Sequence, residues 1–114
     1  MQYALLIYTD EKLDTEAPKE QADAIMAAYL AFGEQYKDKI TGGEALLSTR
    51  SATTVRAPEG KAITTDGPFA ETKEQLGGFY LVNAANLDEA IEIAAHIPGA
   101  QYGSIEVRPV MTFE

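Results

Sequence analysis

The chain has no cysteine among its 114 residues. Disulfide scaffolds, thiolate zinc sites, iron–sulfur clusters and cysteine nucleophiles are therefore excluded. There is one histidine, His96, so a multi-histidine metal site within one chain is excluded too. No EF-hand or HExxH spacing occurs, and Gly77-Gly78 fits neither the dinucleotide nor the P-loop pattern. Ser48, Ser51 and Ser104 lack the sequence context of a nucleophile. No metal and no cofactor is expected. No run approaches the ~18 apolar residues of a membrane span. The opening Met1-Gln2-Tyr3-Ala4-Leu5-Leu6-Ile7-Tyr8 is apolar but short. It has no basic leader, and Asp10 and Glu11 follow at once, so it does not read as a signal peptide and a cytoplasmic location is expected. Basic residues are scarce: 9 Lys and Arg stand against 18 Asp and Glu, for a net charge of −9. Such a surface repels phosphate backbones, and no Lys/Arg cluster offsets it, so nucleic acid is not an expected partner.

What is present suits one globular domain over residues 1–114. The hydrophobic fraction is 46%, ordinary for a folded chain. No linker, repeat or low-complexity tract divides the sequence. Residues 2–9 read as a strand apolar on both faces, with Tyr3, Leu5 and Ile7 on one and Ala4, Leu6 and Tyr8 on the other. Ile25, Tyr29, Phe32, Tyr36 and Ile40 form a stripe at helical spacing. The spacing predicts a long helix over 16–41, with Pro18 in its first turn and Gly42-Gly43 as its stop. Strand material follows at 44–48. Thr53–Arg56 and Ala62–Thr65 then flank a Pro58-Glu59-Gly60 turn as a hairpin. Residues 78–83 form a second strand apolar on both faces, with Phe79 and Leu81 opposite Tyr80 and Val82. Asn86, with Glu89 three residues on, caps a second helix that ends at Pro98-Gly99. In a last strand over 104–108, Ile105 and Val107 alternate with Glu106 and Arg108.

This order is a split βαβ pattern, ferredoxin-like in outline with an extra hairpin, in the α+β class. In that connectivity the first and third main strands are central, which matches the two strands that are apolar on both faces. Two helices cover one face of a four-stranded sheet. The simplest cover for the other face is a second copy, giving a homodimer whose sheets face each other; the alternative is that the hairpin or the C-terminal tail folds over it.

The segment Asp66-Gly67-Pro68-Phe69-Ala70-Glu71-Thr72-Lys73-Glu74-Gln75-Leu76-Gly77-Gly78-Phe79 resembles the signature of the DGPF branch of the YCII-related proteins. Tyr3-Ala4-Leu5-Leu6-Ile7-Tyr8 and Gly103-Ser104-Ile105-Glu106-Val107-Arg108-Pro109-Val110 resemble that family as well. The resemblance implies a bacterial, cytoplasmic, dimeric α/β barrel. It also implies association with a sigma factor of the extracytoplasmic-function type, because relatives are often encoded beside one or fused to one. It implies no settled reaction. Some members of the wider superfamily carry a His–Asp pair and resemble lyases acting on small ring compounds. That pair is not kept here, where Lys19-Glu20-Gln21-Ala22 and Ile97-Pro98 stand at the corresponding places.

Several residues have both a structural and a chemical reading. Asp66 either shapes the Gly67-Pro68 turn or places a carboxylate at the barrel mouth. Glu71, Lys73 and Glu74 are either a solvated loop or a polar cluster in which the lysine holds an anion or tunes an acid. Gly77 and Gly78 are best explained by close packing. Arg108 is either an ion-pair partner of Glu106 or an anion clamp, and Tyr8 and Tyr80 suit either a core or a pocket. His96 suits a helix C-terminus. The catalytic candidates are therefore Asp66, Glu71 and Lys73, and the substrate-binding candidates are Arg108, Tyr80 and Tyr8. The expected role is binding or acid–base transformation of a small molecule, such as a lyase reaction. The alternative is an accessory protein of a sigma factor.

Overall fold

A computed structural model describes residues 1–113. Strand β1 (Gln2–Thr9) leads into helices α1 (Glu11–Glu16) and α2 (Lys19–Gln35), followed by β2 (Ile40–Ala45). A hairpin of β3 (Thr53–Arg56) and β4 (Ile63–Asp66) comes next, and then β5 (Gln75–Asn83), α3 (Leu87–Ala95) and β6 (Ser104–Pro109). The fold is mixed α+β. Four strands form one sheet in the order β2-β5-β1-β6, with every neighbouring pair antiparallel. β1 and β5, the strands apolar on both faces, lie in its middle.

The sequence alternation decides which side of the sheet the helices take. Along β1, Tyr3, Leu5, Ile7 and Thr9 are buried, while Ala4, Leu6 and Tyr8 are half-buried. Across the ladder Leu5 faces Tyr80 and Val107, and Tyr3 faces Val82. This row packs with Phe32 of α2, with Ala90, Ile93 and Ala94 of α3, and with Ile97. Leu5, Val82, Ile93 and Ile97 are fully buried, each stabilising the fold by about 1.5–3 kcal/mol. The opposite row pairs Leu6 with Phe79 and Glu106, and Ala4 with Leu81 and Arg108. Leu6, Phe79 and Leu81 stay half-exposed.

The expected long helix is broken at its start. Pro18 forces the preceding residue out of the helical region, and Ala17 is extended (φ −65°, ψ 136°). Pro18 is accordingly the N-cap of α2, not part of its first turn. At the far end the chain leaves the helix at Tyr36, and Ile40 opens β2. Gly42 and Gly43 lie inside that strand and do not terminate a helix. The value of Gly43 is close approach: a Cβ there would lie 2.5 Å from the Phe79 carbonyl oxygen. The stripe itself is real, with Phe32 buried and its ring 5.2 Å from Tyr36 and 5.0 Å from Tyr80.

The second helix begins as its sequence predicts. Asn86 Oδ1 accepts the Glu89 N–H at 3.0 Å, and Glu89 in return accepts the Ala85 N–H at 3.1 Å. That N–H, and then Lys39 at 3.2 Å, hold the Glu89 carboxyl below its usual range. The hairpin pairs Thr53 with Asp66 through Arg56 with Ile63, and turns at Pro58–Gly60, where Glu59 takes a left-handed conformation (φ 56°).

Candidate functional site

A cavity of about 570 Å³ opens where the C-terminal end of β1, the start of β5 and the end of β2 meet the first half of α2. Residue size explains its place. The strand wall is Gly43, Ala45, Gly77 and Gly78, and the chain entering α2 supplies Ala17 and Ala22. Small side chains on both sides leave a space that larger ones would fill. Ile7, Ile25, Met26 and Tyr80 make it mainly apolar, the usual character of a small-molecule pocket.

One corner is polar. Thr9, the one buried polar residue among the described residues, donates its hydroxyl to Asp14 Oδ2 at 2.9 Å. Tyr29 and Tyr102 line the same cavity. The Tyr29 hydroxyl lies over Gly99, where a Cβ would meet it at 2.9 Å. Burial pushes the Tyr29 phenol above its ordinary range, and the neighbouring Tyr102 adds to this. Tyr102 is raised by burial and then by the Asp14 carboxylate, and Tyr80 by burial alone. At neutral pH these phenols keep their protons and can donate hydrogen bonds, and the Asp14 carboxylate acts on Tyr102.

Asp14 is held in place by tertiary contacts. It sits on α1, a helix of only six residues, too short to form by itself. Asp10 caps α1 by accepting the Lys12 N–H at 3.0 Å. Glu11 ties it to the chain beyond β2, accepting the Thr49 N–H and hydroxyl at 2.8 Å each. The Glu11 N–H donates to Gln75 Oε1 at 3.0 Å.

Of the catalytic and substrate-binding candidates read in the sequence, Tyr80 lines this cavity and the others lie elsewhere; Gly77 and Gly78, read there as close packing, form part of its wall. Tyr8 projects on the opposite face of the sheet, as does Arg108, which pairs with Glu106 and is largely exposed. Asp66 ends β4 and is exposed, as are Glu71 and Lys73 in the following loop. At Asp66-Gly67 the structure displays a turn. Gly67 is left-handed (φ 95°), donates its N–H to the Ala52 carbonyl at 2.7 Å and accepts the Thr54 hydroxyl at 2.8 Å. His96 caps α3, its Nδ1 2.8 Å from the Glu92 carbonyl oxygen and its ring 5.7 Å from that of Tyr36. Sequence reading missed Thr9, Asp14 and Tyr102. The available signal was a polar residue closing an apolar row at Thr9, with an acid five residues on.

The family model for the YCII-related domain matches residues 1–114, and the chain belongs to that family. An uncharacterised protein of Rhizobium meliloti (strain 1021) is 41% identical over 118 residues, spanning 100% of this chain and 95% of that protein. Among solved structures, the fold is similar to that of 5-chloro-2-hydroxyhydroquinone dehydrochlorinase (TftG) from Burkholderia phenoliruptrix AC1100, in complex with 2,5-dihydroxybenzoquinone. The TM-score is 0.57 at 18% identity, over 97% of this chain and 94% of that one. At that identity the likeness speaks to the fold alone.

Proposed function

We propose that this YCII-related protein binds a small organic molecule in the cavity between α2 and the sheet and acts on it by acid–base chemistry. The observation that carries this is the cavity itself, about 570 Å³ with apolar walls and one polar corner. Asp14 accepts a proton from the bound molecule. The phenols of Tyr29 and Tyr102 donate hydrogen bonds to the oxygen on which negative charge develops. Tyr80 packs against the body of the ligand. A small ring compound suits such a space. The fold's likeness to an enzyme whose complex holds 2,5-dihydroxybenzoquinone supports the choice of that molecule as a first probe.

The reading includes a homodimer with facing sheets, a dimeric barrel of ferredoxin-like subunits. The half-exposed row of Leu6, Phe79 and Leu81 supports it, since an apolar sheet face calls for a cover. Asp66, Glu71 and Lys73 take part only as groups delivered by a second copy, and Tyr8 and Arg108 belong to the covered face.

Calorimetric titration with 2,5-dihydroxybenzoquinone and related hydroxylated rings tests the site. Asp14→Asn should keep the fold and lose turnover, and Tyr80→Ala should weaken binding about tenfold or more. Unchanged affinity and turnover in both variants would sink the assignment.

A further inference from the structure

The β3–β4 hairpin departs from the body of the molecule. Its eight strand residues are exposed except Thr54, which is half-buried. Two-stranded ribbons of this kind are marginal in water without something to pack on. The ribbon and its flanks also display large apolar side chains: Leu47 is 83% exposed, Phe69 79%, Val55 60% and Ile63 55%. The radius of gyration is 16.0 Å, against about 13 Å for a compact chain of this length.

The conformation of the arm is nonetheless well specified. The Gly67 hydrogen bonds to Ala52 and Thr54 lock the turn from which Pro68 and Phe69 emerge. Glu11 clamps Thr49 at its root. The most recognisable motif of the sequence thus serves to hold an aromatic side chain out in solvent. Rigid exposed aromatics at the edge of a fold are the usual anchors of an interface.

Charge indicates what the arm meets. Residues 46–73 carry Arg50, Arg56, Lys61 and Lys73 against Glu59, Asp66 and Glu71, a balance of +1, so the remainder of the chain carries −10. A near-neutral, slightly basic arm on a strongly acidic body is complementary to another such body. We infer that the β3–β4 arm, with Phe69 as its anchor, clasps a second copy of this chain, each copy embracing the acidic body of the other. The inference rests on the homodimer reading above and extends it: the sheet faces alone do not complete the interface.

Sedimentation equilibrium on the full chain, with Phe69→Asp, the pair Val55→Lys and Ile63→Lys, and separately Phe79→Asp on the sheet face, tests this. In a two-fold interface each arm substitution is counted twice. Loss of one anchor should therefore raise the dimer dissociation constant at least ~100-fold. A wild-type chain that is monomeric at high concentration overturns both the clasp and the dimer. A dimer weakened by Phe79→Asp but untouched by the arm variants overturns the clasp alone. Should an arm variant fail to fold, hydrogen exchange of the wild type decides. The amides of Thr53–Arg56 and Ile63–Asp66 should be protected in the dimer and not in the diluted monomer, and equal exchange in both refutes the clasp.

Discussion

Gly77 and Gly78 are neighbours on β5, yet alanine should have opposite effects at the two positions. A Cβ on Gly78 would lie 2.9 Å from the Glu44 carbonyl oxygen and 3.4 Å from Ala45 Cα. Those are backbone atoms of a paired strand, so β2 must move aside. Overpacking of this kind costs roughly 1–3 kcal/mol. A Cβ on Gly77 meets only the Thr9 hydroxyl oxygen, at 4.0 Å, and Gly77 is not among the positive-φ glycines. Nothing in the fold opposes a side chain there, and glycine in a strand interior costs roughly 0.5–1 kcal/mol relative to alanine. Gly77→Ala should therefore stabilise by about that amount and raise the melting temperature by roughly 2–6 °C in a domain of this size. Gly78→Ala should lower it by a comparable or larger amount. Urea titrations with equal slopes for the two variants would confirm that stability alone changed. The positions also separate by function. Gly77→Val should fill the cavity mouth and weaken 2,5-dihydroxybenzoquinone binding without loss of stability. A Gly77→Ala variant as destabilised as Gly78→Ala would refute the geometry of the cavity wall.

Truncating the core at Leu5→Ala, where exposure is 0%, should cost about 2–5 kcal/mol in chemical denaturation. Asn86→Ala removes the cap of α3 and should cost about 1 kcal/mol, with Asn86→Asp restoring most of it. The raised Tyr29 phenol makes stability fall at alkaline pH. Above the ordinary tyrosine pKa the unfolded chain has lost a proton that the folded chain retains. The stabilisation is thus complete below pH ~10 and declines as pH rises towards the folded value. The slope cannot exceed ~1.4 kcal/mol per pH unit, because one phenol releases one proton. Tyr29→Phe should flatten it in melts across pH 9–12, and an unchanged slope would show that the phenol is not the titrating group.

The sheet was legible in the sequence because strand periodicity and burial coincide. Alternation in 2–9 and 78–83 named both central strands and the side chains on each face. Asn86 and Glu89 named the second helix. The first helical region was harder, since the stripe from Ile25 to Ile40 keeps helical spacing past the true end at Gln35. Ile40 is apolar because β2 needs it, and a stripe cannot show where one element hands over to the next. Of the cavity's polar groups, only Tyr80 was legible as a site candidate; Gly77 and Gly78 stood out, but as close packing. The other polar groups come together from β1, α1, α2 and the turn before β6, and their meeting is a property of the topology. The DGPF segment attracted chemical readings through its charges, whereas the structure places it on an exposed arm.

Helix α1 is the meeting point of these features. Six residues hold Glu11 at one end and Asp14 near the other. Its order is borrowed: the Thr49 clamp, Gln75 and Thr9 restrain it from outside. The entropy lost when Asp14 is fixed at the cavity is therefore offset by contacts to the root of the arm and to β5. The acidic wall of the cavity is as rigid as those contacts and no more so, which places it towards the low end of the molecule's local unfolding energies.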